Sequence, residues 1–163
     1  MVRSSQIKFV VAGAFVLLFV TAWLCYPGRA PVRLPAENCN SELWAHVYDK
    51  ERLRVLEACT VVEGRVKSTW REFDGDLHIA LDPDKKSVLN VFNMAHAHRT
   101  LVVEIICDHT PAGDSAKAAC GDWRQQLTIP NKGDRIRVTG TFAVDKDNSW
   151  TEIHPVTRIE VLR

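Results

Sequence analysis

Carboxylic acids and histidines recur at a spacing of two residues in two segments of this chain. Asp76 and His78 stand in the segment DGDLHIAL, and Glu152 and His154 stand in WTEIHPV. Side chains two positions apart lie on the same face of an extended strand. A fifth candidate, Glu104, is the one charged residue in the apolar run TLVVEIIC. The pattern therefore predicts three strands that present acid or imidazole groups.

If those three strands are neighbours in one sheet, their polar side chains converge on one outer surface. His78, Glu104, Glu152 and His154 would then supply two imidazoles and two carboxylates, which can bind a divalent metal such as zinc. The same groups suit acid–base chemistry, since histidine titrates near neutral pH. However, outward strand residues are polar in any case, and a Glu and a His on adjacent strands often form only a structural pair. The residues leave these alternatives open.

Other chemical motifs are weaker or absent. His96 and His98 share a face if their segment is extended, and His109 follows Cys107, which allows a second metal site. Histidines in exposed loops are the simpler account of all three. The sequence contains no Ser-His-Asp spacing, no phosphate-binding glycine loop and no nucleophile elbow. We therefore predict no catalytic residue from sequence motifs alone.

The elements that must position these residues are mainly strands. A helix capped by Ser41 is predicted over residues 41–58, with a break near Asp49, and a shorter helix around residues 115–120. Residues 84–99 fit either a short helix or a loop. Alternating or continuous apolar patterns predict five strands, with short and even spacing. These strands cover residues 59–70, 76–82, 100–107, 135–144 and 149–162.

Two of the predicted strands carry a central glycine, Gly64 in VEGRV and Gly140 in VTGTF. Glycine inside a strand usually marks a bulge or a tight bend. In a five-stranded Greek-key barrel the first and fourth strands are neighbours and curl sharply. The pattern therefore predicts a mainly β fold of the OB type, a small Greek-key barrel preceded by a short helix.

A resemblance supports this fold. The segments DGDLHIAL, LVVEIIC and GDRIRVTGTFAVD…WTEIHPV are similar to those of exported bacterial OB-fold-like domains of poorly defined function, over about residues 59–160. OB-fold families commonly bind ligands on the outer face of strands two and three and on the loops after strands one and four. The resemblance implies that residues 70–75 and 145–149 are such loops here. It implies no particular activity, because this fold hosts unrelated functions.

The charge balance disfavours nucleic acid as the ligand. Beyond residue 26 the chain has 19 basic residues against 20 acids, and the predicted binding face carries acids and histidines. Binding to a phosphate backbone requires a basic surface, and single-strand binders add stacked aromatic side chains. We therefore expect a small ligand or another envelope protein as the partner.

The N-terminal segment predicts a membrane anchor. Residues 9–26 carry no charge, which is at the short end of the length that spans a bilayer. Arg3 and Lys8 precede them, which favours an inside N-terminus. A cleaved signal peptide is the main alternative, and a lipoprotein at Cys25 is a third. Residues 27–38 are rich in proline and predict an extended linker to a domain over residues 39–163.

Four of the five cysteines lie beyond this segment, which predicts an exported domain with two disulfides. Three pairings are possible from sequence, and we prefer Cys39–Cys59 and Cys107–Cys120. The second would close a long polar loop.

Together these features predict a single-pass membrane protein whose C-terminal OB domain lies outside the cytoplasm and binds a ligand or an envelope partner. The alternatives are a metal-dependent hydrolase that uses His78, Glu104, Glu152 and His154, and a structural assembly protein with no ligand.

Overall fold

The structure is a computed structural model that describes residues 39–163. The described part is mainly β, with five strands in one mixed sheet and few helices. The strands are β1 Leu53–Arg71, β2 Leu77–Pro83, β3 Leu101–Ile105, β4 Arg135–Asp145 and β5 Thr151–Leu162.

The sheet is closed, in the strand order β1-β2-β3-β5-β4. Strand β4 pairs with β1, β3 lies between β2 and β5, and the β3–β5 pair is the parallel one. These neighbour relations confirm the expectations on which the convergence of the polar strands depended. Alternate residues of every strand, among them Ile79, Val103 and Ile153, fill the interior as one apolar cluster. The intervening residues therefore point to the outer side of the sheet.

Gly64 and Gly140 stand where two strands approach too closely for a side chain. A Cβ on Gly64 would lie 2.4 Å from the carbonyl oxygen of Asp82 on β2. A Cβ on Gly140 would lie 2.5 Å from the Cγ2 atom of Ile153 and 2.6 Å from the carbonyl oxygen of Pro155 on β5. Both glycines thus allow the tight curvature that the sequence predicted for β1 and β4.

The helix predicted over residues 41–58 is wrong, although the chain does break near Asp49, and Asn40 rather than Ser41 caps the first turn. The structure has two short 3-10 turns there, Ser41–Ala45 and Lys50–Arg52, and β1 begins already at Leu53. The first residues of β1 pair with β4, where Leu53 lies opposite Asp145. Hydrogen bonds to a neighbouring strand here override a local helical preference.

The connections contain three further short elements. A 3-10 turn, Lys86–Val88, precedes helix α1, Val91–Ala95, and helix α2 spans Asp114–Cys120 close to its predicted position. Asn90 caps α1 by accepting hydrogen bonds from the backbone of Phe92 and Asn93.

The structure contains both disulfides in the pairing that we preferred, Cys39–Cys59 and Cys107–Cys120. Two disulfides indicate an oxidising environment. The predicted anchor at residues 9–26 and the linker at residues 27–38 lie outside the described residues. Within residues 39–163, no helix combines the length and apolar character that crossing a membrane requires.

Candidate functional site

The five candidate residues come together on the outer side of β2, β3 and β5, as the two-residue spacing predicted. His78 on β2 lies directly opposite Glu104 on β3, and Glu152 on β5 lies opposite Val102, two residues before Glu104. His154 follows on the same face of β5, and Asp76 immediately precedes β2. Three strands and one loop thus bring their polar groups to one place.

The burial of these side chains differs from the expectation. An outer face of polar residues predicted exposure to solvent, but Asp76 is 2% exposed, Glu104 1%, and Glu152 and His154 0%. Only His78 stays partly accessible, with 12% of its side chain exposed. We call Asp76, Glu104, Glu152 and His154 the buried cluster.

The buried cluster is covered by segments that have no repeating pattern in the sequence. The backbone amide of Cys107 donates to Oδ1 of Asp76 at 2.7 Å. The side chain of Gln125 accepts from the amide of Ile106 at 2.9 Å and donates to the carbonyl of Val156 at 2.7 Å. Residues 106–125 are thereby tied across β3 and β5. This attachment covers the outer face at Asp76, whereas the side of His78 and Glu104 opens to a cavity.

His154 is the centre of the buried cluster. Its Nδ1 atom lies 2.6 Å from Oε2 of Glu104 and 3.2 Å from Oε1 of Glu152, and its Nε2 atom lies 3.9 Å from Oδ2 of Asp76. Glu104 also approaches His78, with 3.3 Å between Oε1 and Nε2. The carboxylate of Glu104 therefore lies between the two imidazoles.

Arg52 is the permanently charged cation beside this cluster. It donates to Asp145 at 2.6 Å and lies 3.8 Å from both Glu104 and Glu152. The sequence analysis missed Arg52 because it fell in the segment that we predicted as a helix. No local signal marked it, since its place follows from the closure of the barrel.

Burial and mutual charge shift the pKa values of the cluster. Desolvation raises the pKa of Asp76 to about 7, although His154 opposes this shift. Desolvation and the nearby Glu104 likewise raise the pKa of Glu152 to about 7. Burial disfavours the imidazolium form of His154. The attraction of Glu104 and Glu152 for that form is larger than the effect of burial and raises the pKa of His154 to about 10. His154 and His78 together hold the pKa of Glu104 well below its usual value despite burial.

Several polar atoms of the buried cluster lie close to one another but make no hydrogen bond. Oδ2 of Asp76, Oε2 of Glu104, Oε1 of Glu152 and both ring nitrogens of His154 lack a partner in hydrogen-bond geometry. The oxygen of Glu104 at 2.6 Å from Nδ1 is close enough for an ion pair but off the direction of a ring hydrogen bond. One ligand atom each from Asp76, Glu104 and His154 lie within 4.8 Å of one another, so these three residues can hold a metal ion.

A cavity of about 370 Å³ opens above this cluster, on the side of His78 and Glu104. The loop after β1 and the loop after β4 both line it, and these are the two loops that the resemblance implied as binding loops. Four of the lining residues are aromatic, and six are carboxylic acids against one arginine and one histidine. The aromatic residues are Tyr48, Trp70, Phe73 and Trp150.

A second cavity of about 540 Å³ continues along the outer face of β2 and β3, over Ala80 and Val102. Trp70 and Trp150 line both cavities, so we treat the two together as one groove. Each indole has its N–H turned to an acid: Trp70 donates to Glu72, and Trp150 donates to Glu152 at 2.9 Å. The indole groups are thus fixed in place as walls of the groove.

The weaker histidine candidates lie apart from the buried cluster. His96 and His98 are exposed and line the larger cavity, whereas His109 lies 3.6 Å from Asp108. The structure does not bring the three together with the five predicted site residues as one metal site.

No protein-family model matches the chain, and no curated protein sequence matches it significantly. We therefore infer a function from the geometry of the groove and of the buried cluster.

Proposed function

We propose that this chain is an OB-fold binding module, anchored to the cell membrane by residues 9–26 with its β-domain on the extracytoplasmic side. The order of its five strands and the parallel β3–β5 pair support the OB assignment. The two disulfides support an exported domain. The observation that carries the binding function is the groove, which lies between the two loops that this fold uses for ligands.

The lining of the groove favours a ligand with a cationic group, such as an organic ammonium or a basic side chain. Acids outnumber bases in the smaller cavity, and the exposed Asp147 adds negative charge at its rim. A cation over the face of an aromatic ring gains about 0.5–2 kcal/mol, and tryptophan is the best partner. Trp70 and Trp150 provide such faces beside the acids. The same lining repels phosphate, which agrees with the expectation against nucleic acid.

The experiment compares choline with its neutral isostere 3,3-dimethylbutanol and with the anion 3,3-dimethylbutyrate. The full-length chain in detergent carries fluorine-labelled tryptophan, and each signal is assigned by a Trp→Phe variant. Choline should shift the Trp70 and Trp150 signals saturably and leave Trp44 unchanged. Equal shifts from the neutral isostere would contradict recognition by charge, and no saturable shift from any of the three would contradict the binding function.

A matched pair of variants locates the charge effect. Asp147→Asn removes an acid from the groove and should weaken choline binding by about fivefold, equivalent to about 1 kcal/mol. Asp114→Asn changes another exposed acid, at the start of α2 and outside the groove, and should leave binding unchanged. If both variants weaken binding alike, general surface charge rather than the groove attracts the cation.

A metal-dependent hydrolase that uses His78, Glu104, Glu152 and His154 stays a prediction of the sequence, as does a structural role without a ligand. His78 and Glu104 line the smaller cavity, and His78 is the more accessible of the two, whereas Glu152 and His154 are buried outside its lining.

A further inference from the structure

We propose that Asp76, Glu104 and His154 form a binding site for a divalent transition-metal ion, zinc or manganese, beneath the groove. This proposal goes beyond the binding function, because Asp76 and His154 lie outside the cavity lining and the groove can bind its ligand with or without the ion. The three residues come from the loop before β2, from β3 and from β5. Only the closed sheet brings them together.

The distances suit an ion of this size. Zinc binds nitrogen and oxygen at about 2.0–2.2 Å, so two of its ligand atoms are at most about 4.3 Å apart. Oδ2 of Asp76 and Nε2 of His154 are 3.9 Å apart, and all three ligand atoms lie within 4.8 Å of one another. Binding of the ion would draw together any two of these atoms that lie more than about 4.3 Å apart.

The unpartnered atoms are the second and independent observation. Buried polar groups in proteins almost always have a partner, and an unpaired one costs about 1–3 kcal/mol. Asp76, Glu104 and His154 are each at least 97% buried in their side chains, and each has a polar atom without a partner in hydrogen-bond geometry. A metal ion between Oδ2 of Asp76 and Nε2 of His154 would give both of these atoms a partner.

The charges around this place allow a cation. Asp76, Glu104 and Glu152 bring three carboxyl groups together in a buried place. Arg52 stands 3.8 Å from Glu104 and Glu152, and the ring of His154 lies within 3.2 Å of both. Buried charges are usually paired or coordinate a metal. A divalent ion would take the place of the imidazolium proton of His154, which together with Arg52 otherwise balances these carboxyl groups.

The ligand types select the metal. An imidazole together with carboxylates suits zinc or manganese, whereas calcium and magnesium prefer sites built from oxygen alone. Glu152 would then fix the histidine ring, since its Oε1 lies 3.2 Å from Nδ1 and its Oε2 accepts from Trp150. Through Trp150 the ion would also stabilise one wall of the groove.

The test begins with the full-length chain, purified without a histidine tag, stripped with a chelator and then titrated with zinc or with manganese. We expect one ion per chain and a rise in the unfolding temperature that magnesium and calcium do not produce. X-ray absorption of the zinc-loaded protein should show a single imidazole, oxygen ligands and no sulfur. This measurement on the unaltered chain keeps the proposal testable even if a variant fails to fold.

Matched variants assign the ligands. Asp76→Asn and His154→Gln should weaken zinc binding at least about a hundredfold, since even outer partners of a metal ligand contribute about tenfold to a hundredfold. The control, His96→Gln with His98→Gln, removes two exposed histidines and should keep the full affinity. Non-reducing mass analysis of the two disulfides checks that each variant is folded.

Three outcomes would overturn the proposal. They are the absence of bound zinc and manganese in the unaltered chain, a zinc spectrum with two imidazoles or with sulfur, and loss of the ion in the His96 and His98 control. None of these outcomes affects the choline experiment, which reports on Trp70 and Trp150 in the groove. Failure of the metal site and failure of the proposed function are therefore distinguishable.

Discussion

Asn93 shows how much of this site depends on single buried polar side chains. It is 0% exposed, and its amide nitrogen donates to the carbonyls of Thr100 at 3.0 Å and Thr151 at 2.8 Å. Its oxygen accepts from the amide of Thr151 at 2.9 Å and from the hydroxyl of that residue at 2.6 Å. Asn93 therefore joins α1 to the starts of β3 and β5, next to Glu152 and Trp150.

Replacing this side chain should destabilise the domain strongly. Asn93→Ala leaves the carbonyls of Thr100 and Thr151 without their partner in a buried place, which we expect to cost about 3 kcal/mol of unfolding free energy. Chemical denaturation followed by tryptophan fluorescence measures this change. Asn131→Ala, in an exposed turn, is the control and should change stability by less than about 0.5 kcal/mol. Equal effects would contradict the role given to Asn93.

At the scale of residues, the sequence predicts which side chains of the site lie together, but it does not predict that they are buried. The two-residue spacing of Asp76 with His78 and of Glu152 with His154 determines a shared strand face. Whether that face meets water depends on Gln125 and on the backbone around Cys107, which attach a nonperiodic segment across it. The periodicity of the strands carries no information about this segment. The sequence therefore predicted that these side chains are exposed, whereas the structure buries them.

At the scale of elements, the closure of the sheet depends on Gly64 and Gly140. Gly64→Ala and Gly140→Ala each place a Cβ within 2.6 Å of backbone or side-chain atoms of the adjacent strand. The strands must separate to admit it, and we expect each variant to lose about 1–3 kcal/mol of unfolding free energy. Denaturation of the full-length chain measures the loss.

Gly113→Ala is the matched control for both variants. No atom lies within 4 Å of a Cβ at Gly113, and its φ of −87° is open to any residue. Alanine there should leave stability unchanged or raise it slightly by restricting the unfolded chain. If Gly64→Ala and Gly140→Ala behave like the control, close strand approach does not explain these two glycines.

The elements also show which local signals are reliable. Glycine between valines and threonines correctly marked the bends of β1 and β4. Glycine weakens the interior of a strand, so its presence there usually marks a bulge, a tight bend or a close approach of another backbone. The segment 41–58 carried residues that suit a helix or a strand, and pairing with β4 decided between them. Arg52, at the junction of the 3-10 turn and β1, owes its place beside Glu104 and Glu152 to that pairing.

At the scale of the whole molecule, the two disulfides connect the fold to a cellular compartment. Cys39–Cys59 ties the first described residue to β1, and Cys107–Cys120 links the end of the β3 segment to α2. Closing a loop of about 15 residues contributes about 3 kcal/mol in the chain-entropy model. Such bonds persist outside the cytoplasm and are rare inside it. The oxidation state in living cells therefore tests the proposed topology of the chain.

We expect Cys25 to be the one free thiol among the five cysteines of the chain in its cell. Cells are quenched with acid, which stops thiol exchange, and the extract is treated with a polymer-linked maleimide that retards the chain on a gel. One addition should occur without reductant and five after reduction, and Cys25→Ser should abolish the first. A zinc chelator should leave the count unchanged, since no cysteine belongs to the proposed metal site. Five additions without reductant would contradict both the disulfides and the extracytoplasmic placement of the domain.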